Sequence, residues 1–205
     1  MAQRVLACTG CHGREGRAAA DGYYPRIAGK PAGYLFNQLR NFRDGSRHYE
    51  LMNELLALID DDFLREIANH FASLDVPYPA PAPPAGTPAT RAAGEALVRR
   101  GDAARGLPAC NDCHGAAMTG RAPFVPGLLG LPRDYLNAQL GAWKTGLRRA
   151  ASPDCMAQVV ERLNGEDIGS ISAWLAAQPM PAHAAASTEP DAPWPMRCGS
   201  VPATR

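Results

Sequence analysis

The chain is poor in aromatic residues and contains no long apolar run. Phe, Trp and Tyr together make up 7% of its 205 residues, and hydrophobic residues of all kinds make up 46%. So few large apolar side chains give little material for two independent cores, and folding is therefore expected to depend on an added apolar group. Because no run of about 18 apolar residues occurs, a membrane-spanning helix is not predicted.

An excess of charge of one sign is also missing. The 21 basic and 20 acidic residues give a formal net charge of +1. This balance does not suggest binding to nucleic acid or to an anionic membrane surface, since both attract strongly basic proteins. A secretory signal is absent as well, and we therefore expect a mature or trimmed chain, or a start codon assigned too late.

The six cysteines carry the most information in this sequence. Four of them form two copies of Cys-x-x-Cys-His, each followed by a glycine. This pentapeptide attaches c-type haem: the two thiols form thioethers with the porphyrin vinyl groups, and the imidazole ligates iron. A single copy could instead be a redox dithiol or half of a zinc site, but two copies favour two covalently bound haem c groups. The predicted thioether residues are Cys8, Cys11, Cys110 and Cys113, and the predicted iron ligands are His12 and His114.

The two halves of the chain repeat each other. Aligned on the histidines, a Tyr-Leu-x-x-Gln-Leu segment at Tyr34 recurs at Tyr135, and a Pro-x-x-x-Gly segment at Pro25 recurs at Pro126. Such self-similarity indicates a duplicated module, and the proline-rich stretch between the copies is typical of a semi-rigid spacer. The predicted organisation is a first module at 1–77, a linker at 78–89, a second module at 90–180 and an extended tail at 181–205.

Apolar residues at helical spacing predict an all-α fold of two tandem modules. Asp60 and Asn164 are good N-caps, and each precedes an apolar face with a period of three to four residues. Short middle helices are predicted at 34–42 and 135–143, and a further helix at 90–100, where small residues around Gly94 offer a contact face. No alternating strand pattern persists along the chain.

The sixth iron ligands are predicted from the repeat. Met52 and Met156 occupy matching places in polar loops before the last helix of each module. A thioether ligand favours Fe(II), whereas most methionines merely fill gaps in a core, and the matched polar positions argue against that second role. His48 and Cys155 are the nearby rivals as ligands, the first also readable as a solvated loop residue.

Two cysteines remain outside the haem motifs. Cys155 and Cys198 form an even pair, and in an exported protein such a pair favours a disulfide. The disulfide would tie the tail to the loop that carries Met156 and so stabilise that loop. A free thiol, or a thiolate bound to iron, is the alternative.

Further residues are expected around the haem groups without ligating iron. A prolyl carbonyl in each module could accept the Nδ1 proton of the ligating histidine, although ordinary turn prolines would explain the same residues. Aromatic rings could pack against haem with their polar ends towards the propionates, and arginines could pair with those propionates. These candidates are Pro25, Pro126, Tyr34, Tyr135, Trp143, Arg47 and Arg148.

Taken together, these residues resemble the dihaem cytochrome c4 family, in which two class I cytochrome c modules are fused. The resemblance runs from Cys8 to about Gln178 and includes the Gly-Leu-Pro-Ala-Cys segment that ends at Cys110. It rests also on the haem motifs, the two repeated segments, and a methionine eight residues before a capped last helix. It implies His/Met ligation, propionate edges near the module interface, and periplasmic electron transfer.

The first module departs from that family pattern. Only seven residues precede Cys8, too few for the helix that opens a family module and crosses its last helix. The apolar stripe formed by Phe63, Ile67 and Phe71 would then be uncovered. Either the natural N-terminus lies upstream or something else covers the stripe, and we expect the former.

The predicted function is that of a periplasmic electron carrier, not an enzyme. Iron with six ligands has no position for a substrate, and haem attachment takes place in an exported compartment. The expected donor is a quinol-oxidising complex or a dehydrogenase, and the expected acceptor is a terminal oxidase. The alternatives are the cytochrome subunit of a dedicated dehydrogenase complex and a dihaem redox enzyme, which would need an open or Cys-ligated iron.

Overall fold

The structure, a computed structural model, describes residues 1–18, 23–188 and 193–201. Helices dominate these ranges, which confirms the all-α prediction. One antiparallel pair of two-residue strands, β1 (Gly120–Arg121) and β2 (Val125–Pro126), lies in the described part. The helices are α1 (Leu6–His12), α2 (Ala32–Arg43), α3 (Glu50–Leu56), α4 (Asp61–Ala72), α5 (Pro88–Arg100), α6 (Cys110–His114), α7 (Arg133–Lys144), α8 (Cys155–Glu161) and α9 (Gly165–Ala176).

The last helix of each half begins at the N-cap that the sequence predicts. Asp60 accepts a hydrogen bond from the backbone N–H of Phe63 at 2.8 Å, at the start of α4. Asn164 accepts from the N–H of Asp167 at 2.8 Å, and the Asp167 carboxylate accepts in return from the N–H of Asn164 at 2.9 Å. This reciprocal pair satisfies two backbone donors that the first turn of α9 would otherwise leave open.

Two separate hydrophobic cores hold the fold, one in each half. Their boundaries along the chain, at 77 and 90, stay a prediction. The first core contains Val5, Leu35, Phe42, Leu56, Leu64, Ile67, Ala68 and Phe71. The second contains Val98, Leu107, Met118, Leu129, Leu131, Leu136, Leu163, Ile171, Trp174, Leu175 and Ala176.

The expectation that the apolar stripe on α4 is uncovered is wrong. Ile67 and Phe71 are buried in the first core, and Val5 from the N-terminal segment is buried with them. Phe63 is half-buried, with the Arg4 guanidinium 4.2 Å from its ring centroid. Leu35 of α2 belongs to the same buried cluster, so the N-terminal segment and α2 cover much of the stripe, and the rest of it lines the large cavity described below.

The proline-rich linker lies against both halves. The backbone N–H of Ala82 donates to the carbonyl of Ala176 at 3.0 Å, at the end of α9. On the other side, the Arg26 guanidinium stacks 3.9 Å from the centroid of the Tyr78 ring. Helix α5 begins at Pro88 with Thr87 as its N-cap, two residues ahead of the predicted start. These contacts hold the linker in place.

Candidate haem-binding site

Both Cys-x-x-Cys-His motifs open into one large cavity. Its volume is about 820 Å³, and its walls come from both halves of the chain. Each half contributes its motif, its short middle helix and its last helix to the lining. The walls also include the four motif cysteines, both motif histidines, Met52 and Met156.

The two motif histidines are held in the same way. Nδ1 of His12 lies 2.8 Å from the carbonyl oxygen of Pro25, and Nδ1 of His114 lies 2.8 Å from that of Pro126. A carbonyl only accepts, so Nδ1 carries the proton and Nε2 keeps its lone pair. Burial lowers the pKa of both imidazoles, which favours the neutral form that ligates a metal.

Three of the four motif cysteines lie in surroundings that oppose a thiolate. Burial raises the pKa of Cys8, and it raises the pKa of Cys110 to about 12 and that of Cys113 to about 11. A thioether carries no charge, so the same apolar surroundings suit a cysteine bonded to a porphyrin. The donor set of each motif therefore fits a covalently bound haem.

The candidate methionines lie at matched places. Met52 is in the first turn of α3 and Met156 in the first turn of α8, and both are half-buried against the cavity. Of their rivals, the side chain of His48 is exposed, and Cys155 is joined in a disulfide to Cys198 and offers no thiolate. Iron ligation by the methionines stays a proposal.

The C-terminal segment 193–201, called the C-terminal strap below, returns to the second half. The Cys155–Cys198 disulfide, with a Cα–Cα distance of 4.9 Å, fixes it to the start of α8. The N–H of Gly199 donates to the carbonyl of Pro153 at 2.9 Å. Residues 189–192 and 202–205 of the predicted tail lie outside the described residues.

A buried polar network joins the two halves. Arg47 donates to Gln38 of its own half at 2.9 Å and to Gln139 of the other half at 2.5 Å. Arg148 makes the equivalent pair of hydrogen bonds, to Gln139 of its own half at 2.8 Å and to Gln38 of the other half at 2.9 Å. The network repeats the duplication of the sequence, so each arginine is bound by both halves.

Two tyrosine hydroxyls complete this network. The hydroxyl of Tyr135 lies 3.3 Å from Nη2 of Arg47, and that of Tyr34 lies 3.3 Å from Nη2 of Arg148. Burial raises the pKa of Tyr34, but the charges of the two guanidinium groups outweigh burial, and the pKa lies below its ordinary value. An excess of positive charge therefore surrounds these hydroxyls.

This excess of positive charge bears on whether the cavity suits haem, which carries two negative propionates. Arg47 and Arg148 are buried, and within the described ranges neither is paired with a carboxylate. Buried cations normally have an anionic partner, because desolvation of an unpaired charge is costly. Haem propionates at this interface would supply that partner, so the residues present fit two haem groups.

Trp143 packs beside this network and contacts Arg148 and Asp154. Its indole N–H donates to the Asp154 carboxylate at 3.3 Å, and its ring lies 3.9 Å from the Arg148 guanidinium carbon. Asp154 also caps α8, where its side chain accepts from the N–H of Ala157 at 3.0 Å. Trp143 thus connects the loop before Met156 to the buried arginines.

Sequence reasoning missed three residues of the site. Gln38 and Gln139 carried a signal, since both occur in the repeated Tyr-Leu-x-x-Gln-Leu segment. Lys30 carried none, because the matching residue is Leu131. Lys30 is buried between the halves and donates to the carbonyl of Gly127 at 3.2 Å, and burial lowers its pKa to about 8.

Among the residues in the described ranges, no helix is long and apolar enough to cross a membrane. No family model matches the chain.

Comparison with known proteins gives clear relatives. A thiosulfate dehydrogenase electron acceptor from Thiomonas intermedia is 36% identical over 86% of this chain and 80% of that protein. A cytochrome c4 from Pseudomonas aeruginosa is 32% identical over 84% of each chain. The crystal structure of reduced recombinant cytochrome c4 from Pseudomonas stutzeri superposes with a TM-score of 0.73 at 29% identity, over 86% of this chain and 95% of that one.

Proposed function

The chain belongs to the cytochrome c4 family of dihaem electron-transfer cytochromes, and we propose that it is a periplasmic carrier between a dehydrogenase and a terminal oxidase. A bound haem iron takes up and releases one electron as it changes between Fe(III) and Fe(II). The observation that carries the proposal is the matched pair of donor sets at one cavity, each with a histidine and a methionine.

In this proposal the matched residues would attach both haem groups and would fill the two positions on each iron that the porphyrin leaves open. Cys8 and Cys11 attach one haem, and Cys110 and Cys113 the other. His12 and Met52 would ligate one iron, and His114 and Met156 the other. Because both positions are taken, the chain leaves no place for a substrate on iron and supports exchange of electrons only.

The buried arginines are assigned to the propionates. Arg47 and Arg148 each have hydrogen-bond partners in both halves, so they fix the halves relative to each other. A guanidinium group suits a carboxylate because it offers several N–H donors in a planar fork. The proposed pairing would place the two propionate edges at the same interface.

The donor proposed first is a thiosulfate dehydrogenase, because a relative that is 36% identical is named as its electron acceptor. A quinol-oxidising complex is the other donor under consideration. The periplasmic location is supported by the Cys155–Cys198 disulfide, since disulfides persist in oxidising compartments.

The test is a reduction experiment with the oxidised holoprotein. Thiosulfate together with a thiosulfate dehydrogenase is expected to reduce both haem groups, whereas thiosulfate alone is expected to leave them oxidised. The reduced protein is then exposed to carbon monoxide, which is expected not to bind because both irons are fully ligated. Absorbance spectra follow both steps.

Three results would count against parts of the proposal. Ready binding of carbon monoxide to the protein as isolated would show an open iron and favour a redox enzyme. Reduction by a quinol-oxidising complex but not by the dehydrogenase would remove the proposed donor and keep the carrier. Co-elution with the dehydrogenase in gel filtration would favour a permanently docked subunit, the second candidate.

A further inference from the structure

The internal repeat allows the same helix face to be compared in two places. Helices α3 and α8 match when Met52 is aligned with Met156. The outer face of α3 and the turn after it carry three leucines, and the matching positions around α8 carry Cys155, Val159 and Arg162. The three leucines, Leu51, Leu55 and Leu58, are called the leucine face below.

In the second half the chain itself covers part of this face, although Arg162 is exposed. Cys155 and Val159 are both half-buried. The C-terminal strap is bonded to Cys155 through Cys198, and Met196 and Val201 of the strap line the cavity beside α8. A side chain at Gly199 would put Cβ 2.3 Å from the carbonyl oxygen of Ser152, so the strap is closely fitted.

The strap ends on the first half. Nδ2 of Asn37, on α2, donates to the carbonyl of Ser200 at 3.3 Å. At its beginning, the Trp194 ring lies 3.9 Å from the Arg121 guanidinium carbon. The strap thus runs from β1 across the start of α8 to α2, and it closes that side of the cavity in the second half.

In the first half the matching leucines are exposed among the residues that the structure describes. Leu51 is 57% exposed, Leu55 44% and Leu58 100%. Leu51 and Leu55 also line the cavity that holds Met52, so the leucine face is continuous with the proposed haem site. Three exposed leucines within eight residues form an apolar patch of the kind that marks an interaction surface.

The rim of this patch is acidic. Glu50 and Glu54 are exposed on the same helix, and within the described ranges neither forms an ion pair. A partner that meets both the leucines and these carboxylates needs an apolar contact surface with lysines or arginines around it.

We propose that the leucine face docks a redox protein whose apolar contact surface has a basic rim, and that the C-terminal strap denies partners the equivalent face of the second half. This inference rests on the proposed carrier function. Partners then exchange electrons with the protein through its first half.

A second copy of the chain does not suit this face. A two-fold dimer brings identical patches together, so Glu50 and Glu54 of both copies would meet across the contact. Like charges placed together at an interface oppose association. The occupant is therefore a different protein with the opposite rim charge.

The experiment locates the face with a small probe that shares the partner's chemistry. Tris(phenanthroline)chromium(III) is cationic, has apolar outer faces, is redox-inert and is paramagnetic. Amide signals of the isotope-labelled, ferrous holoprotein are recorded as the probe is added. Broadening is expected along residues 50–58 and not along 154–162. Equal broadening of both segments, or none at 50–58, overturns the proposal.

Two sets of variants sharpen the result. Leu58→Gln, with Glu54→Gln, is expected to weaken probe binding by about threefold to tenfold, while Arg162→Gln, at the position matching Leu58, leaves it unchanged. The double change Cys155→Ser with Cys198→Ser, and separately Gly199→Val, is expected to release the strap and add broadening at 154–162. No added broadening in either variant overturns the role of the strap.

The protein partner is tested separately. The rate at which the dehydrogenase reduces the protein is expected to fall with Leu58→Gln and with rising salt. An unchanged rate in Leu58→Gln overturns the docking surface and leaves the carrier function standing. No reduction of any variant, with the probe still at 50–58, removes the donor and leaves the surface. Dimers that disappear with Leu58→Gln in sedimentation would overturn the proposed occupant.

Discussion

At the scale of single residues, the chain contains its own control for the methionine ligands. Met52 and Met156 line the cavity at matched positions, whereas Met118 is buried in the second hydrophobic core. A thioether in a core acts only through packing, but a thioether on iron changes the spectrum and the reactivity of that iron. The two roles can therefore be separated by substitution.

Met156→Ala is expected to open one iron. The weak near-infrared band from methionine-to-iron coordination should fall by about half, and carbon monoxide should bind one ferrous haem per molecule. Met52→Ala should do the same to the other haem. Met118→Leu conserves volume and should cost less than about 1.5 kcal/mol of stability while leaving the band and the closed iron intact. An unchanged band in Met156→Ala would exclude that ligand.

The residues that could be predicted from the sequence belong to a short local motif or occur at matching positions in both repeats. The haem motifs follow from spacing alone, and the methionines and the two prolines follow from the repeat. The pairing of Arg47 with Gln139 joins residues 92 apart in the chain, and no local pattern reports it. The role of Lys30 could not be predicted for the same reason, since its partner, the carbonyl of Gly127, lies 97 residues away in the chain.

At the scale of helices, the crossing of α5 over α9 depends on a glycine. A Cβ added to Gly94 would lie 2.1 Å from the carbonyl oxygen of Ser170, too close for any real contact. The small residues around Gly94 predicted a helix contact. In the structure the backbone of Gly94, which has no side chain, packs directly against the backbone of Ser170. On α9 itself, Gly169 has open space around its missing Cβ.

Gly94→Ala is expected to destabilise the second half by about 1–3 kcal/mol, because the two helices must move apart to accept the methyl group. Gly169→Ala is the matched control and should be neutral or stabilise by up to about 1 kcal/mol through higher helix propensity. Hydrogen exchange of the holoprotein, read separately for α9 and α4, should show the loss in α9 only. Equal losses in both helices would contradict an independent second core.

The sequence could not show what covers the apolar stripe of α4 in the first half. Its N-terminal segment is short, and the apolar stripe of α4 therefore looked uncovered. In the structure Val5 packs on one side of that stripe and the cavity borders the other. The contact of Val5 with the stripe joins segments that are far apart in the chain, so no local pattern reports it.

At the scale of the whole molecule, two like charges lie where the halves meet. The backbone segments of Arg47 and Arg148 form an antiparallel bridge, flanked by hydrogen bonds from His48 to Leu147 and from Arg149 to Ser46. Burial lowers the pKa of Arg148, and the nearby charge of Arg47 lowers it further. Burying two like charges is costly, and the proposed propionates would offset that cost.

If Arg148 pairs with the propionates as proposed, its charge should also affect both reduction potentials. Oxidation adds a positive charge to the iron, so a nearby guanidinium disfavours the oxidised form and raises the reduction potential. Arg148→Gln is therefore expected to lower the potential by on the order of 30–60 mV, given that a tenfold change in equilibrium constant is about 59 mV for one electron. Arg65→Gln, at an exposed ion pair with Asp62, should leave it unchanged.

Because Arg148 contacts residues of both halves, both haem potentials should fall together in a redox titration followed by absorbance. A fall confined to one haem would place the guanidinium with a single propionate and weaken the case for a shared interface. A rise of either potential would mean that Arg148 stabilises the oxidised iron, which a buried cation cannot do by its charge. Adding Arg47→Gln should lower both potentials again, since each arginine is held by the glutamines of both halves.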